Sequence, residues 1–239
     1  MNNPWDSLSQ YFDTSGNKEI SAGAADNILI AWPVILKFLQ DNFPKEKNGI
    51  IVDFGCGGGG FANKLHSLGY QVIGIDASAE MIKTASKQYG KNVVFKVGDS
   101  RQLSQIGPVI CISSIMALQF VKDIDAAMSD FSKTLMPNGL LIFAVFNPDY
   151  VINGLKSKLF FEDFDSTAKP TKGIANFGNE IRIPTYIRTA EEYTNTAQQH
   201  GLKCLLESYP PFTEEFIKKY PTDMPTDKPE YLILGYQRI

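Results

Sequence analysis

From Gly55 to Gly60 five of six residues are glycine, in the run Gly-Cys-Gly-Gly-Gly-Gly. A β-branched apolar run, 49–54, leads into it, and an amphipathic stretch, 61–68, leads out to Gly69. Strand, glycine turn and helix in that order put the turn at the carboxyl edge of a sheet. Residues without a Cβ take positive φ there and let a ligand approach the backbone. The first turn of the helix adds unpaired N–H groups that face the same space. Helix–sheet packing needs fewer glycines than this, so the loop reads as a ligand cradle.

The same alternation continues down the chain. Strands are predicted at 71–75, 92–97, 108–113 and 140–146, and helices at 79–89 and 125–135. Repeated βαβ units mean a parallel sheet with right-handed crossovers. Strands this uniformly apolar belong to a sheet covered by helices on both faces. Ile28, Ala31, Ile35, Phe38 and Leu39 recur at helical spacing and predict a helix over 22–41, kinked at Pro33. Residues 148–186 break the pattern, with two short strands expected near Ile174 and Ile181. Regularity returns with a helix at 189–200, a strand at 202–208, a short helix at 213–220 and a strand at 230–237. The expectation is one α/β domain over 1–239, doubly wound and mostly parallel. An N-terminal helical and lid segment (1–48) and a substrate-cap insertion (148–186) flank its sheet edge.

Charge and cysteine content remove several function classes. Lys and Arg number 23 against 26 Asp and Glu, a net charge of −3, with no basic tract. The electrostatic drive for nucleic acid is therefore weak. The longest apolar run, 28–36, falls far short of the ~20 residues a membrane span needs. Three cysteines at wide, unmatched spacings form neither a disulfide framework nor a zinc set, so no metal is expected. With no secretory pattern at the start of the chain, a cytoplasmic protein is expected, acting on small molecules or peptides and leaving membranes alone. The sequence leaves monomer and homodimer open.

Asp76 closes the second strand about twenty residues after the loop, where a carboxylate can accept both hydroxyls of a ribose. Gly55-x-Gly57-x-x-Gly60 satisfies the dinucleotide fingerprint, which needs a helix N-terminus for a pyrophosphate. S-adenosylmethionine has no phosphate and carries a positive sulfonium. Asp53, just before the loop, suits that cation better than a pyrophosphate, or else serves only to hold the loop's backbone; the spacing Asp53-x-Gly55-x-Gly57-x-Gly59 leans to the second ligand.

Val52-Asp53-Phe54-Gly55-Cys56-Gly57 resembles the first motif of the class I S-adenosylmethionine-dependent methyltransferases. The likeness runs from about residue 49 to the C-terminus. Gly74-Ile75-Asp76-Ala77-Ser78-Ala79-Glu80-Met81 is similar to the second motif, and Val97-Gly98-Asp99-Ser100 to the third. Leu135-Met136-Pro137-Asn138-Gly139 is similar to the family's Leu-Lys-Pro-Gly-Gly turn, with Asn138 in a position that Asn tolerates because it enters the left-handed region readily. The segments 188–193 and 199–202 resemble the late helix and strand, and 228–238 the terminal antiparallel strand.

The resemblance implies a seven-stranded Rossmann-like sheet and methyl transfer to a small-molecule or peptide acceptor by direct in-line displacement, leaving S-adenosylhomocysteine. It implies that Asp53, Gly55, Cys56, Gly57 and Gly59 line the donor. Asp76, with Ala77 beside it, would hold the ribose and Met81 would lie against adenine. Asp99 would take the adenine amino group and Ser100 the ring. It turns the segment from Ser113 to Phe120 toward the sulfonium, and places Gln119 where small-molecule relatives often have His or Gln.

On the acceptor side the candidates are Trp5, Tyr11 and Phe12 from the opening, Met116 and Gln119, Asn147 after the fifth strand, and Tyr150, Tyr186 and Arg188 around the insertion. Tyr11, Gln119 and Tyr186 are the candidate catalytic groups. His66 and His200 fall in last turns of helices behind the sheet, poor positions for a base. Two other readings stand beside this one. An NAD(P)-dependent oxidoreductase shares the glycine fingerprint but lacks a Ser…Tyr-x-x-x-Lys triad here; a non-catalytic nucleoside-binding or regulatory protein keeps the fold alone.

Overall fold

A computed structural model describes residues 4–8, 22–43, 48–154, 161–177, 181–222 and 225–239. After a short 3-10 segment (Pro4–Leu8), α1 (Ala22–Asp26) passes through a π turn (Asn27–Ala31) into α2 (Trp32–Asn42). The alternating region follows: β1 (Ile50–Phe54), α3 (Gly60–Ser67), β2 (Gln71–Asp76), α4 (Ala79–Tyr89), β3 (Val94–Val97), β4 (Val109–Ile115), α5 (Ile124–Thr134) and β5 (Leu135–Phe146). Next come β6 (Phe161–Asp165), β7 (Thr171–Phe177) and β8 (Ile181–Ile187), then α6 (Ala190–Gln199), β9 (Leu202–Ser208), α7 (Glu214–Lys219) and β10 (Tyr231–Arg238).

Seven strands form one sheet in the order β3-β2-β1-β4-β5-β10-β9, with β1 to β5 parallel and β10 antiparallel to both its neighbours. The chain winds outward from β1 to β3, then crosses back to β4. The crossovers leave β1 and β4 in opposite directions and open a crevice at their carboxyl ends. Period two decides the layers. Along β5, Leu140, Ile142 and Ala144 pack with Trp32, Ile35, Phe38 and Leu65, while Leu141, Phe143 and Val145 pack with Met128, Phe131 and Tyr193. Both faces are buried, which is why the strands read as unbroken apolar runs.

Side-chain caps start the helices where the sequence changes period. Ser78 accepts from the N–H of Met81 at α4, Asp123 from Ala126 at α5, and Thr189 forms a capping box with Glu192 at α6. Asn138 sits at φ 63 in the turn that β5 makes between its pairing of Leu135 with Val109 and of Leu140 with Cys111. Among the described residues no helix is long and apolar enough to cross a membrane.

Two sequence expectations are refined. The N-terminal helix runs on from Ala22 to Asn42, and its distortion at Pro33 takes the form of a π turn (Asn27–Ala31) directly ahead of it: the Trp32 N–H reaches back to the Asn27 carbonyl, and Pro33 has no N–H to continue the ladder. The insertion holds three strands instead of two, as an antiparallel sheet in the order β6-β7-β8. Phe-Glu-Asp-Phe-Asp, the sequence of β6, is too charged to show an apolar run. This small sheet sets Ala175 and Ile187 against Phe146, Tyr150 and Val151 of the main sheet edge, and Ile183 against Met81 of α4.

Candidate active site

A cavity of about 620 Å³ opens at the carboxyl edge of the sheet. One half is built on the glycine loop. The N–H groups of Gly55 and Cys56 donate to the Ile75 carbonyl at 2.7 and 3.0 Å, stitching the loop to β2. Asp76 then takes the Gly57 N–H on Oδ2 at 2.9 Å and the Ser78 N–H on Oδ1 at 2.8 Å. Gly55 and Gly57 have φ of 70 and 51. A Cβ at Gly55 would stand 2.3 Å from that of Ala117, whereas one at Gly57 would project into open space. Ala77, Met81 and Asp99 complete this half.

Asp53 is 2% exposed and accepts from the Ser113 hydroxyl at 3.1 Å. Burial, with the Asp76 charge nearby, pushes its carboxyl up to about 7. Burial also holds the Cys56 thiol well above its usual range, so it is no nucleophile. Asp99 is the opposite case: the exposed Arg101 guanidinium holds it below the usual carboxylate range.

Met116 stands between the two halves at φ 54, a strained backbone for a non-glycine residue, at the end of β4. Beside it Gln119, 1% exposed, points Nε2 at the Met116 sulfur at 3.7 Å and leaves Oε1 buried without a partner. Trp5 packs edge-on against Phe120, with ring centroids 4.6 Å apart, and 5.9 Å from Phe177. Its neighbour Asp6 accepts from the Ser78 hydroxyl at 2.6 Å, pinning the opening segment to the start of α4.

The far half was not foreseen. Asp26, Asn27, Trp32, Phe212, Phe216, Tyr220 and Glu230 line it with Phe146 and Tyr150. Burial, and then the charge of Asp26, hold Glu230 well above the usual carboxylate range; Asp26 is also raised, chiefly by burial, and the two carboxyls hydrogen-bond one another. They stand at opposite ends of the chain, so no spacing could have paired them. The aromatic content of 212–220 was the one signal available.

Several expected wall residues lie elsewhere. Gly59 turns away from the cavity: a Cβ there would meet Phe95 Cζ at 2.7 Å and Ala85 Cβ at 3.0 Å, so its φ of 82 serves to start α3. Ser113 is spent on Asp53; the Ser100 hydroxyl donates to Asp130 at 2.6 Å, a bond that does not involve the backbone N–H expected on the adenine ring. Asn147 gives its amide to the Pro229 carbonyl, and Arg188 donates to the carbonyls of Val121 and Lys122. Tyr186 lies off the wall, its ring 5.3 Å from the Arg188 guanidinium. His66 and His200 are also off the wall, and His200 Nε2 meets Asp125 at 2.9 Å. Tyr11 and Phe12 lie outside the described residues. Among those described, no group of three His, Cys, Asp or Glu is placed to hold a metal.

The Gly59 geometry has a direct consequence. Gly59→Ala should lower stability by about 1–3 kcal/mol through backbone strain and the Phe95 contact. S-adenosylhomocysteine affinity should stay within about threefold, as a position off the wall requires. Urea unfolding and calorimetry on one preparation check both.

Among the described residues five acidic or basic side chains line the cavity (Asp26, Asp53, Asp76, Asp99 and Glu230), and all are acids. With no cation among them to meet a pyrophosphate, this described wall suits a sulfonium and an ammonium better than a dinucleotide. Such a loop, on a sheet whose last strands form an antiparallel pair beside β5, defines a Rossmann-like methyltransferase. The family described as methyltransferase domain matches residues 31–207. The chain is similar to the ubiquinone biosynthesis O-methyltransferase of Pelagibacter ubique, 26% identical over 59% of this chain and 68% of that one. It is also 30% identical to the Brucella anthropi enzyme of the same name over 51% of the chain, a match spanning about half (52%) of that relative's length. An S-adenosylmethionine-dependent methyltransferase from Mesorhizobium loti carries the same fold, with a TM-score of 0.62 at 21% identity over 90% of this chain and 99% of that one. The chain belongs to the class I S-adenosylmethionine-dependent methyltransferase family. It is an enzyme of that class, and S-adenosylmethionine is its methyl donor.

Proposed function

We propose that this enzyme methylates a small-molecule or peptide acceptor. The donor would rest on Asp53, Gly55, Cys56, Gly57, Asp76, Ala77, Met81 and Asp99, and the acceptor in the aromatic half of the cavity. The observation that carries this reading is that one continuous cavity has two unlike ends, a glycine loop with carboxylates and a chamber of large apolar rings. The names of the curated relatives support a small acceptor. The acidic wall opposes a nucleic acid, and three free cysteines, two of them buried, support a reducing cytoplasm.

When bound, the donor supplies an electrophilic methyl on a positive sulfur. The chain's own part is to place the acceptor atom in line, to keep water out and to receive a proton where the acceptor must lose one. Met116 and Gln119 sit where the two ends meet, so they would orient the reacting atoms. Trp5 and Phe177 bring the opening segment and the small sheet over the cavity, and we assign those two pieces the role of a lid that sets acceptor choice.

Methyl-labelled donor incubated with a metabolite extract should label the small-molecule fraction; label confined to protein or RNA would overturn the reading. With the acceptor so found, Trp5→Ala should raise its KM about tenfold, the loss of roughly 1.4 kcal/mol of aromatic contact. Affinity for S-adenosylhomocysteine should stay within about threefold. An unchanged KM would remove the lid assignment.

A further inference from the structure

At the aromatic end of the cavity the charged side chains among the described residues are two acids, Asp26 and Glu230, set beside the rings of Trp32, Tyr150 and Tyr220. Asp26 closes α1 and accepts the Asn27 N–H at 2.7 Å, and Glu230 is held in place where its carbonyl accepts the Asn147 N–H at 2.7 Å. The two carboxyls share a hydrogen bond, and only 9% of Glu230 is exposed. Two further oxygens on the same wall, Asn27 Oδ1 and Gln119 Oε1, are buried and have no partner. Both oxygens have almost no exposed surface, so a ligand N–H would reach them only after a small side-chain movement, recovering the about 1–3 kcal/mol that a buried unpaired acceptor costs. Among the described residues no Lys, Arg or His lines the cavity, and Trp32, Tyr150, Phe212, Phe216 and Tyr220 surround this end. Rings facing an acid pair make a site for a cation on an apolar body.

We propose that the methyl acceptor is an amine, held as its ammonium by the Asp26–Glu230 pair, which takes a proton from it before methyl transfer, with Gln119 Oε1 receiving a remaining N–H. This rests on reading the aromatic half as the acceptor chamber. Burial and the like charge of its neighbour both oppose ionisation of the second carboxyl, so a pair that holds one proton and one negative charge is matched to one ammonium. Anionic acceptors such as carboxylates and phosphates are repelled. The remaining titratable groups that face the pair are the Tyr150 and Tyr231 hydroxyls, both raised by burial and by the acids beside them, and no cation is among their electrostatic partners. The proton count closes. The pair accepts a second proton from the ammonium nitrogen, and the freed lone pair forms the new N–C bond as the carbon–sulfur bonding pair stays on sulfur. The methylated nitrogen leaves as a cation and the pair returns its extra proton to solvent.

The family match, residues 31–207, does not reach Asp26, Asn27 or Glu230.

Calorimetry on the full chain saturated with S-adenosylhomocysteine tests the proposal, with phenethylamine, phenethyl alcohol and phenylacetate as probes of one shape and three charges. The amine should bind at least about tenfold more tightly than the alcohol, and phenylacetate should not bind. Amine affinity should fall as acid pH fills the pair with its second proton. In Glu230→Gln and in Asp26→Asn the preference for amine over alcohol should drop below about threefold and the pH dependence should flatten, with S-adenosylhomocysteine affinity within about twofold as proof of an intact fold. Equal binding of amine and alcohol, absence of amine binding at millimolar concentration, or a preference that survives in both variants overturns the proposal. Failure of the wild type to bind S-adenosylhomocysteine is a different result, and it would overturn the donor half instead.

Discussion

Asp76→Ala is expected to weaken S-adenosylhomocysteine binding by about 30- to 1,000-fold, or 2–4 kcal/mol, the value of two hydrogen bonds to a charged acceptor. The carboxylate ends β2 at the mouth of the cavity, half-buried, with its pKa raised chiefly by that burial. Each of its oxygens already takes one backbone N–H, from Gly57 and from Ser78, and each keeps a second lone pair for a ribose hydroxyl. The alanine variant thus loses the sugar contacts and also releases the glycine loop that shapes the rest of the donor half. Asp76→Asn separates the two effects. Its amide oxygen can still accept from one N–H, so its loss should fall between those of wild type and alanine. Calorimetry at neutral pH reads all three proteins, and wild-type affinity in the alanine variant would remove Asp76 from the donor site.

What the sequence disclosed and what it hid divide along a physical line. Asp53, Gly55, Gly57 and Asp76 were readable because one βαβ unit fixes their geometry locally: strand alternation brings Asp53 and Asp76 to neighbouring strand ends, and glycine takes the φ the turn demands. The parallel βαβ alternation followed from period two giving way to period 3.6, whereas the number of strands, seven, was implied by the family resemblance and their order is seen only in the structure. Direction of side chains was harder. Ser113, Asn147 and Arg188 do lie at strand ends on the ligand edge, yet their polar groups turn to Asp53, Pro229 and the carbonyls of Val121 and Lys122. A buried polar group must find a partner, and such groups find the nearest one. The pair of Asp26 and Glu230 was invisible for another reason. It forms only when α1 and the start of β10 meet over the cavity, a tertiary contact with no local pattern.

Asp53→Asn should make the ligand-free protein more stable at alkaline pH, by as much as about 4 kcal/mol at pH 8. The carboxyl of Asp53 titrates near 7 in the fold against an ordinary value of 3.8, so the folded state holds a proton that the unfolded chain has released. Stability from this group is complete below the unfolded value and is lost as pH rises through the folded one. Between pH 5 and pH 8 the loss is roughly 2–3 kcal/mol, since most of a three-unit difference worth about 1.4 kcal/mol per unit falls in that interval. Asp26, Asp76 and Glu230 are raised as well and slope the same way, but they remain in the variant, so the difference between the two proteins isolates Asp53. Asparagine keeps the shape and can still accept from the Ser113 hydroxyl, without a charge that must be buried. Urea unfolding at pH 5 and pH 8 gives the comparison: the asparagine variant should lead by about 1–2 kcal/mol at pH 5 and by about 4 kcal/mol at pH 8. An equal lead at both would mean that Asp53 is ionised at no cost in the fold. The Ser113 hydroxyl and the Ala62 N–H already favour the ionised form of Asp53, and a cation in the cavity would lower its carboxyl further, so donor binding should reduce the alkaline loss of stability.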